Sequence, residues 1–142
     1  MKIFLDTNVW LRFFLADEPQ QHKDCLELFS QIENGKYRPY ISTIVLLEIN
    51  YILTSTLKIK KAEAFKIFEA IFKIRNLVIM EKTNFPKAFK LYQKTGIKLA
   101  DCLIASQNPP KAILCTYDQD FLKIPQLTTA TPKEIFDSKE TA

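Results

Sequence analysis

The sequence predicts an α/β fold with three layers, α/β/α, built on a mainly parallel sheet of about five strands. Three observations predict it. Short, continuously apolar segments alternate with longer segments of helical period, as in a parallel sheet covered on both faces. The helical segments end in recognisable caps, among them Gly35, Gly96 and the run Thr131-Pro132-Lys133-Glu134. No repeat, low-complexity tract or Gly/Ser linker interrupts the 142 residues, so residues 1–142 are expected to form one domain.

The elements follow in order. Lys2 to Leu5 reads as a short buried strand, followed by Asp6-Thr7-Asn8 and a helix from Val9 to Leu15. The chain turns around Pro19, and a second helix runs to Asn34-Gly35, where glycine supplies the left-handed cap. Tyr40 to Ser42 is a second strand. Ser42 or Thr43 then caps a helix that reaches about Leu57. Lys60 to Phe72 is amphipathic, with Ala64, Ile67, Phe68, Ile71 and Phe72 at helical spacing. Leu77 to Met80 is a third strand, and Pro86 starts a helix that ends at Gly96. Leu99 to Gln107 is a short helix closed by Asn108-Pro109-Pro110. Ala112 to Thr116 and Leu127 to Thr129 are the last strands, and Thr131 to Glu134 is a capping box with proline at the first helical position.

Composition narrows the chemistry. Hydrophobic residues make up 47% and charged residues 25%, a globular profile. The longest apolar stretch, Tyr40 to Leu53, is broken by Glu48 and too short to span a bilayer, so no membrane role is expected. The apolar start is shorter than a signal-peptide core, and the expected location is the cytoplasm. Cys25, Cys102 and Cys115 show no CxxC spacing, which argues against disulfides and structural zinc. His22, in a polar stretch, reads as a solvated surface residue. With no second histidine, Ser-His and Cys-His catalysis are disfavoured. A net charge of +4 permits an anionic partner without requiring one. Only two glycines are present and no phosphate-cradling loop, which disfavours a nucleotide-binding module.

Four carboxylates sit in apolar company. Asp6 ends Ile3-Phe4-Leu5, and Glu48 interrupts Ile44 to Ile49. Asp101 is embedded in Leu99 to Ala105, and Asp118 follows Ile113-Leu114-Cys115 after only Thr116 and Tyr117. An ionised carboxylate buried without a partner costs several kcal/mol. Asp6 and Asp118 leave the carboxyl ends of two strands, where open parallel sheets bind ligands. Glu48 and Asp101 lie on helices able to lean over the same edge. Asp6 or Asp101 alone could be a helix cap, but Glu48 lies too far inside its helix for that. Lys98 is the only basic residue beside these segments. Converging hard oxygen ligands suit Mg²⁺ or Mn²⁺. A phosphotransfer enzyme with an aspartate nucleophile would need a second aspartate two residues after Asp6, and that position holds Asn8.

Asp6-Thr7-Asn8-Val9, Leu47-Glu48-Ile49, Leu99 to Ala105, and Thr116-Tyr117-Asp118-Gln119-Asp120-Phe121 together resemble the PIN-domain family, in order and wide spacing, over nearly the whole chain. The resemblance implies a parallel sheet between helices and an Mg²⁺- or Mn²⁺-dependent ribonuclease leaving 5′-phosphate and 3′-hydroxyl ends. It further implies similarity to VapC-type toxins, with RNA as substrate, a small antitoxin protein as partner, and a homodimer. By position, Asp6, Glu48 and Asp101 match the core acidic residues, and Asp118 matches the more variable fourth, with Asp120 a second candidate. Thr7, Asn8 and Thr116 match supporting polar positions. Arg12 and Lys98, with the lysine-bearing segment from Lys58 to Lys98, are expected to guide the phosphate backbone. The helices Ile44 to Leu53 and Ala62 to Phe72 offer surface for a second copy or an antitoxin. The alternative is a catalytically silent fold that serves as a binding module.

Overall fold

Ile3, Phe4 and Leu5 are each fully buried, and they form the middle strand of the molecule, β1 (Lys2–Leu5). In the computed structural model, which describes residues 1–138, β1 lies between β2 (Arg38–Ser42) and β4 (Ile113–Cys115). The outer strands are β3 (Val78–Met80) and β5 (Thr129–Ala130), giving the order β3-β2-β1-β4-β5 with every neighbouring pair parallel. The sheet is therefore all-parallel, and the α/β expectation holds.

Among the described residues, seven α-helices connect and cover it: α1 (Thr7–Phe14), α2 (Pro19–Glu33), α3 (Thr43–Tyr51), α4 (Lys61–Phe72), α5 (Phe85–Thr95), α6 (Leu99–Ser106) and α7 (Pro132–Phe136). The expected starts and stops recur for physical reasons. The Ser42 hydroxyl accepts a hydrogen bond from the Ile44 amide at 3.0 Å and caps α3. Thr131 and Glu134 form the reciprocal capping box of α7. After α3 the chain widens into a π-helical turn, Ile52–Thr56, which no sequence signal announced.

Three expectations need correction. The last strand begins two residues later than Leu127, because only Leu114 and Cys115 of β4 are left to pair with it. His22 is half-buried rather than solvated, and its ring Nδ1 donates to the Arg12 carbonyl at 2.8 Å. On α4, Ala64 and Ile71 face the core, whereas Phe72, counted in the apolar face, is 55% exposed.

The topology matters for function. The chain moves outward from β1 to β2 to β3, then crosses back to β4 on the other side of β1. With right-handed crossovers, that reversal puts α5 and α6 on the opposite face from α1 and α2. It also opens a crevice at the carboxyl ends of β1 and β4, the usual ligand position in such sheets. Gly96 ends α5 at φ 70° and turns the chain into α6, so its backbone sets where α6 begins. Nothing lies within 4 Å of a Cβ built there, so only backbone strain opposes a side chain. Gly96→Ala is therefore expected to lower the unfolding free energy by about 1 kcal/mol, read by urea denaturation with an unchanged m-value.

Candidate active site

Asp6 is the first residue beyond β1, and its side chain is 4% exposed. Its Oδ1 accepts from the Thr7 amide at 2.8 Å, so Asp6 does cap α1. Its Oδ2 accepts from the Thr116 hydroxyl at 2.7 Å and from the Asn8 side-chain amide at 3.3 Å. The same Thr116 oxygen accepts from the Asp118 amide at 3.0 Å, and Asn8 Oδ1 accepts from the Tyr117 amide at 3.2 Å. The loops leaving β1 and β4 are thus stitched together through Thr116 and Asn8. A cap alone would not require that stitching.

Glu48, on α3, joins through Thr7, whose hydroxyl donates to Glu48 Oε1 at 2.7 Å. Asp101 sits in the first turn of α6 and is 8% exposed. Burial, and then the charges of Asp6, Glu48 and Asp118, push its carboxyl up to about 7, against a lowering by Lys98. Burial likewise raises Asp6 to about 6, opposed by the Thr116 and Thr7 hydrogen bonds and reinforced by Glu48 and Asp118. The four carboxylates therefore act on one another at the crevice between β1 and β4. Among the described residues, none of the four forms an ion pair.

The remaining predicted residues are placed as follows. Asp120 is exposed, and its carboxylate faces Lys123 at 3.8 Å rather than the crevice, while its amide donates to Asp118 Oδ1 at 2.9 Å. Asp118, not Asp120, is the acid at the crevice. Arg12 is held by Asp17 at 3.3 Å and by Gln21 at 2.8 Å, away from the four carboxylates in its hydrogen bonds and ion pairs among the described residues. Lys98 is exposed and acts on Asp101. Sequence reasoning missed Gln107. Its Oε1 accepts from the Ser42 hydroxyl at 2.6 Å, and its Nε2 donates to the Lys82 carbonyl at 2.8 Å. It thereby ties the start of the Glu48 helix to the end of the Asp101 helix across 65 residues, a distance over which no local signal operates.

The donor set fits a hard divalent cation. Among the described residues, no three acidic, histidine or cysteine side chains form a ready-made ligand group. Mg²⁺ asks for less, since it keeps several waters and binds through one or two carboxylates. The carboxylates of Asp6 and Asp101, raised by burial and by neighbouring carboxylates, are what such a cation would discharge. The three cysteines are buried, and burial raises each thiol, Cys25 to about 11 and Cys115 well above the ordinary thiol value.

With this geometry in place, comparison identifies the fold family. The PIN-domain family model matches residues 3–127, a span that contains all four carboxylates. The chain belongs to the PIN-domain family. Among solved structures, one similar chain comes from the crystal structure of VapBC2 from Rickettsia felis bound to a DNA fragment from their promoter. The TM-score is 0.68 at 22% identity, covering 92% of this chain and 98% of that one. At that identity the likeness is one of fold. No match was found among curated proteins.

A pH prediction follows from the two raised acids of this PIN domain. Below the ordinary carboxylate value of 3.8, Asp6 and Asp101 are protonated in both folded and unfolded chains and impose no penalty. Between there and about 7 the unfolded chain has lost protons that the folded chain retains, so stability falls as pH rises. Metal-free protein should melt at progressively lower temperature across that window. Asp101→Asn should flatten the fall and stabilise metal-free protein at pH 8 by roughly 1–2 kcal/mol, solvent screening allowed for. A wild-type melting temperature that rises across the window relative to that of Asp101→Asn would contradict the assignment.

Proposed function

We propose that this PIN domain is an Mg²⁺- or Mn²⁺-dependent endoribonuclease that hydrolyses RNA phosphodiester bonds, acting in the cytoplasm as the toxin of a toxin–antitoxin pair. The observation that carries it is Asp101: a carboxylate 8% exposed, pressed by three other carboxylates and, among the described residues, in no ion pair. Structural pairs would not assemble that much like charge in one crevice without a ligand to neutralise it.

In this reading Asp6 and Asp101 hold the cation, with Asp118 completing its surroundings. A bound Mg²⁺ or Mn²⁺ supplies positive charge at the scissile phosphate and acidifies the attacking water. Glu48, oriented by the Thr7 hydroxyl, takes or orders the water's proton. Thr116 and Asn8 keep Asp6 from rotating away, and Lys98 offers the nearest positive charge to the incoming backbone. Further out, the lysines between Lys58 and Lys98 are all exposed and extend that attraction.

The partner proposal rests on surface apolarity. Leu47 and Tyr51 on α3 are 68% and 65% exposed, and Phe65 and Phe72 on α4 are 59% and 55% exposed. Large apolar side chains standing this far out mark association surfaces. The similar solved chain belongs to VapBC2 bound to promoter DNA. That supports a small antitoxin, with a second copy of the chain as the other occupant of such a face.

Purified protein with single-stranded RNA and Mn²⁺ should cleave. EDTA should abolish cleavage, and Asp6→Asn should slow it about 100-fold or more, by loss of a metal-holding charge. Equal cleavage under all three conditions would assign the activity to a contaminant. Retention of metal binding without cleavage would favour the silent binding module.

A further inference from the structure

A pocket of about 270 Å³ opens directly beside the carboxylate crevice, between the turn that follows β4 and the start of α7. Its walls include Thr116, Asp118, Leu122, Thr129, Thr131 and Glu134. Thr116 and Asp118 are shared with the candidate active site, so whatever fills the pocket is continuous with the reacting group. The far wall, from Thr129 to Glu134, lies beyond the span matched by the family model, which stops at residue 127. This wall is thus outside the shared carboxylate framework.

We propose that this pocket is a nucleobase subsite, taking the base next to the scissile phosphate and favouring cytosine and adenine. The proposal rests on the ribonuclease reading and deepens it. Charge is the first reason. Asp118 and Glu134 stand on opposing elements of the pocket, so a phosphate is repelled and a neutral base is admitted. Leu122 is the second. It projects from the short 3₁₀ turn Gln119–Lys123 at 71% exposure, an apolar side chain at the rim of an acidic site where a base face would cover it.

Glu134 gives the selectivity. Its Oε1 accepts from the Thr131 amide at 2.9 Å in the capping box, and its second oxygen has no partner among the described residues. A carboxylate oxygen accepts from the exocyclic amine of cytosine or adenine and repels the carbonyl that uracil and guanine carry in its place. The Thr129 and Thr131 hydroxyls supply further adaptable donors on the same wall.

The test uses full-length protein, Mn²⁺ and short single-stranded RNAs identical except at the bases on either side of the cleaved bond. Wild-type protein should favour cytosine or adenine over uracil and guanine at one of the two positions by roughly tenfold in kcat/KM, the size of one good base contact. Leu122→Ala, at an exposed position that leaves folding intact, should raise KM about fivefold for every base with kcat little changed. Glu134→Gln keeps the capping box, since glutamine serves there as well, and should erase the preference against uracil without loss of melting temperature. Cleavage with no base preference, or a preference that survives both substitutions, overturns the proposal. Binding of the same RNAs to Asp6→Asn protein separates this from the underlying reading. A base preference in Kd without wild-type cleavage upholds the pocket and sinks the nuclease; cleavage without preference does the reverse.

Discussion

Carboxylates repel, and the low dielectric of a protein interior makes the repulsion stronger. Here Asp6, Glu48, Asp101 and Asp118 act on one another at the place where the strand order reverses, with Lys98 as the one positive group acting on Asp101. The molecule tolerates this in two ways. Burial raises Asp6 and Asp101, which eases their charge, while hydrogen bonds from Thr7, Asn8 and Thr116 hold both oxygens of Asp6, those from Thr116 and Thr7 opposing that rise. The remainder is an unbalanced demand for positive charge, which is the property a divalent cation and a phosphate-bearing substrate would jointly satisfy.

The scaffold serves that crevice from several directions. β1 and β4 are adjacent and parallel, so the residues leaving them, Asp6 and Thr116, arrive side by side and bond at 2.7 Å. Neither helix that brings the other two acids pairs with the sheet, and their relative position depends on side-chain links. Thr7 reaches Glu48 from below, while Ser42 and Gln107 tie the start of α3 to the end of α6. Ser42 does two jobs at once, capping its own helix and donating to Gln107, and it is completely buried while doing so.

Much of this was legible in the chain itself, and the reasons differ by residue. Ile3-Phe4-Leu5 is apolar without alternation because β1 is covered on both faces, so its strand character and the oddness of Asp6 showed together. Gly35 and Gly96 marked helix ends because both adopt positive φ, and Thr131 to Glu134 announced α7 through its cap chemistry. What stayed hidden depends on contacts distant in sequence. An edge strand of two residues has no period to detect, so the start of β5 is not legible in sequence. Apolar periodicity on α4 does not say which apolar side faces inward, so Phe72 cannot be told from the core-facing residues without the fold. Asp118 and Asp120 differ by two residues and identical chemistry. Only the 3₁₀ turn, which carries Asp120 towards Lys123, tells them apart.

The central physical claim is that these acids share one divalent cation. Calorimetric titration of Mn²⁺ into metal-free protein near pH 6.5 tests it most directly, because a cation entering this crevice must displace the protons held by Asp6 and Asp101. The account predicts a saturable site whose binding releases protons, and whose affinity falls at least tenfold in Asp101→Asn. Binding without proton release, or with wild-type affinity retained in Asp6→Asn and Asp101→Asn, would contradict it.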